Sequence, residues 1–248
     1  MKPTNKNDRA AWLQGPPAQC CPVPERAASP WRLVLLGAPG VGKGTQASLL
    51  NERFGACHLS TGDAFRAAVS RPQCAHSPAM SDAVEQMRSG ALVADSTVWE
   101  MVRERSGCLH CRGGFILDGF PRTLEQAGKL HRFLKEEAIS LNAVIDYQLP
   151  LDEIVARLNG RRICEQCKSI FHVEGNSAAP HCEHCGGRLY QREDDRPEAV
   201  AIRMKIYESS TAPLIDFYQN LGLLTPVDAG GPPEEIFART VAALEGKH

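Results

Sequence analysis

Arg32-Leu33-Val34-Leu35-Leu36-Gly37-Ala38-Pro39-Gly40-Val41-Gly42-Lys43-Gly44-Thr45 is the stretch that decides the fold. Leu33 to Leu36 form a continuous apolar run, as expected of a strand buried on both faces. The glycine-rich turn that follows fits G-x-x-x-x-G-K, with Gly44 where the pattern carries Ser or Thr and a hydroxyl one residue later at Thr45. Glycines let the backbone fold back until several N–H groups point into one concavity. The helix expected from Thr45 to Phe54 adds its positive N-terminal end. Lys43 supplies a mobile cation for the outer phosphates of a nucleotide. Gly40, Val41, Gly42, Lys43, Gly44 and Thr45 are therefore candidate nucleotide-binding residues. A dinucleotide fold would need G-x-G-x-x-G, whereas Gly40, Gly42 and Gly44 make G-x-G-x-G.

Outward from this loop, further apolar runs occur at Phe115 to Leu117, Ala143 to Ile145 and Gly222 to Val227. Helical patterns lie between them at Ser81 to Arg88, Ser96 to Arg105 and Thr123 to Glu137. Strands that alternate with helices predict parallel βαβ units, so the expected class is α/β: a phosphate-loop parallel sheet with helices on both faces. No internal repeat is visible. Residues 1–30 hold Pro3, Pro16, Pro17, Pro22, Pro24 and Pro30 without periodicity, and read as a flexible tail. They lack the apolar core of a secretory signal and the arginine excess of a transit peptide. An upstream start codon is the other reading.

The composition excludes several classes. Lys and Arg number 28 against 29 Asp and Glu, for a net charge of -1, so the chain carries no general signal for polyanions such as nucleic acid. No run approaches the roughly 18 apolar residues of a spanning helix. Charge-based recognition must then be local.

Three further segments narrow the class: Leu59-Ser60-Thr61-Gly62-Asp63-Ala64-Phe65-Arg66, Leu117-Asp118-Gly119-Phe120-Pro121-Arg122-Thr123, and Asn159-Gly160-Arg161-Arg162. With the glycine-rich loop they resemble the adenylate kinase family of nucleoside monophosphate kinases, from about Arg32 nearly to the C-terminus. The Asp118 to Thr123 block followed by Gln126 is the most specific part. The resemblance implies a core at 31–60, 94–160 and 196–248, an AMP-binding segment at 61–93 and a zinc-containing lid at 161–195. It implies reversible phosphoryl transfer from MgATP to AMP, giving two ADP.

Residue by residue, the resemblance assigns Thr61 and Arg66 to AMP, and Leu92 and Val93 to the wall beside its adenine. Gly119, Arg122 and Gln126 match positions for backbone contact, AMP phosphate and the adenine edge. Arg157 and Arg161 match lid-base arginines over ATP. Arg192 and Arg203 match arginines that close on AMP and the transferring phosphate, and Asp194 and Asp195 match lid acids that pair on closure. These roles agree with the chemistry. Phosphoryl transfer needs alignment and charge neutralisation rather than a nucleophilic side chain. Arg122, Arg161, Arg192 and Arg203 supply permanent positive charge beside the one lysine, Lys43, and Asp118, at a strand end, is placed to hold Mg²⁺ through water. Thr61 also suits a helix N-cap. Asp194 and Asp195 can equally be a solvated pair.

Ten cysteines remain to be explained. Cys164-x-x-Cys167 and Cys182-x-x-Cys185 are the usual spacing of a tetrahedral zinc site. The segment around them is too small for a core of its own, and a structural zinc would replace one. His172, His181 and His184 are alternative ligands nearby. Cys108-x-x-Cys111 lacks a second pair and reads as unpaired thiols; Cys57 and Cys74 read as free, and Cys20 and Cys21 as tail residues. Reduced thiols and zinc imply a cytoplasmic protein. A monomer is expected, with ATP, AMP and ADP as partners and no nucleic acid or membrane.

Two departures stand out. Ser70 to Met80 is longer than usual in the AMP segment, and Asp228-Ala229 replaces the family's Asp-Gly near the ATP base. GMP, UMP or CMP as the acceptor, and a non-catalytic zinc-containing nucleotide-binding module, are the rival readings. Thr61 and Gln126 argue against the first, and the complete arginine set against the second.

Overall fold

The computed structural model describes residues 30–69, 86, 91–104, 109–173 and 181–246. Five strands make one sheet: β1 (Trp31–Gly37), β2 (Cys57–Ser60), β3 (Gly114–Asp118), β4 (Ala143–Gln148) and β8 (Leu224–Asp228). Their order is β2-β3-β1-β4-β8, and every pairing is parallel. β1 therefore lies at the centre, as its continuous apolar run requires. Alternate residues serve opposite faces. Val34, Leu36, Phe115 and Leu117 pack into one core with Leu130, Leu134, Leu214 and Tyr218. Leu33, Leu35, Ile116 and Ile145 pack into the other with Ala47, Leu50, Ile236 and Leu244.

Eight helices are described: α1 (Lys43–Phe54), α2 (Thr61–Val69), α3 (Asp95–Glu104), α4 (Leu124–Glu136), α5 (Leu151–Gly160), α6 (Pro197–Ile206), α7 (Pro213–Asn220) and α8 (Pro233–Glu245). The helices expected at Ser96 and Thr123 occur within a residue or two. Thr123 itself caps α4, its hydroxyl accepting from the Gln126 N–H at 3.2 Å. The cap of α2 differs from expectation. Ser60 Oγ accepts the Asp63 N–H, and Thr61 instead donates its hydroxyl to the Gly119 carbonyl at 2.9 Å. The strand expected from Gly222 is β8 and begins at Leu224, because Gly222 takes a left-handed turn (φ 69°). α6 runs through a π-helical turn at Tyr207–Thr211 before α7 begins. The expected helix Ser81 to Arg88, the 70–80 insertion, the first 29 residues, Cys74 and Cys108 lie outside the described residues or nearly so, Gln86 being the one exception.

A second sheet stands apart from the first. β5 (Arg161–Cys164) pairs antiparallel with β6 (Ile170–His172) and β7 (Leu189–Tyr190), in the order β6-β5-β7. Cys164 ends β5, and the other three cysteines of the two knuckles lie in the turns around it.

Candidate active site

The loop after β1 turns at Gly42, whose φ of 105° belongs to the left-handed region that glycine alone adopts cheaply. α1 begins at the next residue, so its first N–H groups face the concavity. Lys43 reaches back and donates to the carbonyls of Gly37 (2.6 Å) and Ala38 (2.8 Å). Burial lowers its ammonium from 10.5 to about 8; Asp118 opposes this, while Arg122, Arg203 and Arg161 add to it. Asp118, at the end of β3, sits beside the loop: a Cβ on Gly44 would lie 3.6 Å from its Oδ2. His58 Nε2 is 3.3 Å from the same oxygen. Burial alone would raise the Asp118 carboxyl, but the His58 hydrogen bond and the charges of His58 and Lys43 outweigh it, leaving it below its usual value.

A cleft opens over this loop. It is lined by Gly40, Gly42, Lys43, Gly44, Thr45 and Asp118, with Arg122, Arg161, Arg192 and Arg203 converging from other elements. Val41 is buried in the core and contributes its carbonyl to Arg157 (3.3 Å). Arg157 does not line the cleft. It donates to the carbonyls of Ala229 (2.9 Å) and Gly231 (3.2 Å), tying the phosphate loop to the segment after β8.

A second, smaller cavity adjoins the first. Thr61, Leu92, Val93, Gly119, Arg122 and Gln126 line it, together with Phe65, Val98, Asp194 and Arg203. Gly119 accepts from both Thr61 Oγ1 and Arg122 Nε (2.7 Å) through its carbonyl. A Cβ there would come within 2.8 Å of Thr61 Oγ1 and would have to adopt φ 80°. Arg66 lies on α2, with its side chain outside the described part.

Asp194 and Asp195 are not a solvated pair. Asp195 is fully buried and accepts from Arg161 through both oxygens, Nε to Oδ2 being 2.7 Å. Arg203 Nη1 reaches Asp194 Oδ2 at 3.0 Å and Asp195 Oδ1 at 3.5 Å. The two arginines are thus held in fixed directions by carboxylates behind them.

Sequence reading missed several cleft residues. Ile170 and His172 of β6, and Tyr207 and Thr211 of the π turn, line it as well. His172 was a candidate metal ligand by sequence proximity. It faces the cleft instead, and burial with the charges of Arg161 and Arg157 holds its imidazole below the usual value. The metal-capable group found among the described residues is Cys164, Cys167, Cys182 and Cys185, with all four Sγ atoms within 4.8 Å of one another. Cys164 and Cys185 are 3.4 Å apart, and Cys167 and Cys182 3.5 Å. Thiolates about 2.3 Å from a tetrahedral centre lie roughly 3.8 Å apart, so the quartet fits such an ion. Hydrogen bonds with Ser169 push the Cys167 thiol down to about 6, while burial pushes the Cys182 thiol up. The expectation of unpaired thiols fails at Cys111, which is disulfide-bonded. Cys57 Sγ lies 3.1 Å from the Cys111 sulfur, too far to be its disulfide partner.

A parallel sheet ending in a phosphate loop, with an acid at the next strand end and four arginines turned toward it, defines a nucleotide phosphotransferase. Comparison with known proteins narrows this. The Adenylate kinase family model matches residues 35–223. Relatives named adenylate kinase include one from Carboxydothermus hydrogenoformans, 45% identical over 216 residues, covering 86% of this chain and 99% of its own. Another, from Thermodesulfovibrio yellowstonii, is 43% identical over 218 residues, covering 87% and 100%. A third, from Acidothermus cellulolyticus, is 45% identical over 215 residues, covering 86% and 97%. The chain belongs to the adenylate kinase family and is an enzyme, a phosphotransferase. No described helix is long and apolar enough to cross a membrane.

Proposed function

We propose that the protein catalyses reversible phosphoryl transfer from MgATP to AMP, giving two ADP. One observation carries the reading: two cavities meet at a seam, and Gly119, Arg122 and Arg203 line both. The larger holds the phosphate loop and suits a nucleoside triphosphate. The smaller has an apolar wall of Phe65, Leu92, Val93 and Val98 with one neutral amide, Gln126, and suits a purine base. A γ-phosphate held by Lys43 and an acceptor phosphate held by Arg122 would approach along the seam.

The chain's own residues position and neutralise. Lys43 and the α1 N-terminus hold the outer phosphates of the donor. Arg122, Arg161, Arg192 and Arg203 surround the group in transit, where charge spreads over its oxygens. Asp195 and Asp194 hold two of these guanidinium groups in place, so little reorganisation is needed at the moment of transfer. Asp118 would hold magnesium through water, and the ion would supply positive charge to neutralise the donor phosphates. The β5-β6-β7 unit with its cysteine quartet would act as a lid over ATP, with zinc in place of a core. The four clustered thiols support a reducing, cytoplasmic setting, against which the Cys111 disulfide is an exception.

The test is to supply MgATP with AMP, GMP, UMP and CMP in turn and to follow ADP. AMP should react at least tenfold faster than the others. Equal rates would overturn the choice of AMP. No turnover with any of them would favour the non-catalytic module.

A further inference from the structure

Gln126 is 2% exposed, and both ends of its amide already have a partner. Oε1 accepts the Arg122 backbone N–H at 2.8 Å. Nε2 donates to Asp95 Oδ1 at 2.6 Å. Asp95 sits at the first position of α3, and its other oxygen accepts from Thr123 Oγ1 at 2.7 Å. That hydroxyl in turn accepts the Gln126 backbone N–H. The carboxylate is thereby fixed from two sides.

An unconstrained amide can rotate by half a turn and exchange its donor with its acceptor. Here such a flip would set Oε1 against a carboxylate oxygen and Nε2 against an N–H. Both contacts are repulsive, and the site is buried, where such penalties are largest. One N–H of Nε2 and one lone pair of Oε1 remain, and Gln126 lines the smaller cavity. Their order is set by Asp95 and Arg122, not by the ligand.

We infer that Asp95 is the positioning residue that makes this cavity choose a 6-aminopurine over a 6-oxopurine. The inference rests on reading the cavity as the acceptor-base site. Adenine offers an acceptor at N1 beside a donor at N6, which meets Nε2–H and Oε1 in their fixed order. A 6-oxopurine in the same pose offers a donor at N1 and an acceptor at O6. It would face donor to donor and acceptor to acceptor, unless the amide could flip. Gln126 reads the base, and Asp95 fixes which base it reads.

The experiment compares AMP with IMP, which differs at the 6-position and its neighbouring N1, at saturating MgATP. Asp95→Asn replaces a pure acceptor by a group that can accept or donate, so one of the two contacts that oppose the flip is removed and only the Arg122 N–H still resists it. In the full-length chain, the AMP-to-IMP ratio of kcat/KM should fall at least tenfold. Most of the change should appear in KM for the two monophosphates. Thr123→Val, which removes the α4 cap and one hydrogen bond to the carboxylate but leaves its charge and its bond to Gln126, should lower both substrates alike and keep the ratio within threefold. A wild-type enzyme without an AMP preference would defeat the reading of the cavity itself. A wild-type preference that Asp95→Asn keeps within twofold would overturn the role of Asp95 alone. If the Asn variant loses its helical circular dichroism, Asp95→Ser is measured instead, and the same ratios decide.

Discussion

Replacing Lys43 by Met removes a cation that folding crowds among other cations. The ammonium falls from 10.5 to about 8. At about 1.4 kcal/mol per tenfold, that is an upper bound of roughly 3 kcal/mol held against the folded state. Lys43 lines an open cleft and is only partly shielded from water, so about 1–2 kcal/mol is the working figure. The sign follows from proton counting. The folded value lies below the unfolded one, so between about pH 8 and 10.5 the unfolded chain binds more protons and wild-type stability gains as pH rises. Below pH 8 the full cost is present, and above 10.5 it is gone. The Met variant lacks the group altogether. Its stability minus that of the wild type should therefore drop by about 1–2 kcal/mol between pH 7 and pH 10.5. The lost hydrogen bonds to Gly37 and Ala38 add an offset, but one nearly independent of pH. Urea melts of both proteins across this range, read by circular dichroism, give the gap directly. A gap flat within about 0.5 kcal/mol would refute the crowding argument. Turnover of the variant should fall by about 10²–10³ throughout, since a triphosphate is the counter-charge the lysine is placed to meet.

Arg122→Ala should lower turnover by about 10²–10³ while far-ultraviolet circular dichroism stays unchanged; activity within tenfold of wild type would contradict its place at the seam. Asp195→Asn leaves Arg161 without its buried counter-charge, while Arg203 keeps Asp194, and should cost about 2–4 kcal/mol in denaturant melts, a cost under about 0.5 kcal/mol ruling out the pairing as a structural element. Cys164→Ser should abolish the one-to-one zinc content expected by elemental analysis and lower the melting temperature by several degrees; unchanged metal and unchanged melting would remove zinc from the account.

How much of this was readable from the chain alone varied with the range of the interaction. The phosphate loop was legible in full, because glycine spacing, the lysine and the following helix are all local. The parallel sheet followed from alternation, yet β2 went unread: Cys57-His58-Leu59-Ser60 is short, polar at two positions and only half buried at its start. The cysteine quartet was legible because ligand spacing is a property of two tight turns. The arginines were named only through family motifs, since their convergence depends on contacts such as Arg161 to Asp195, 34 residues apart. One assignment shifted by a single position: Ser60 rather than Thr61 caps α2. Asp95 went unnoticed because its partners lie 28 and 31 residues away.

The wide turn between α6 and α7 sets a rotational phase. In an ordinary α-helix each residue advances about 100°, so positions spaced by four drift by about 40° per step. Arg203, Tyr207 and Thr211 are spaced by four, and all three line the cleft. They stay aligned because the π turn, closed by the Ala212 N–H to the Tyr207 carbonyl at 2.8 Å, holds one more residue than an α turn and winds the drift back. Leu214 and Tyr218 then enter the core on the opposite phase. Thr211 uses its alignment to donate to the Arg122 carbonyl at 2.9 Å, joining this helix to the seam. Deleting one residue from Tyr207–Thr211 would leave a sound helix, yet would rotate Arg203 about a quarter-turn relative to Leu214. The chain could then satisfy the cleft or the core, but not both.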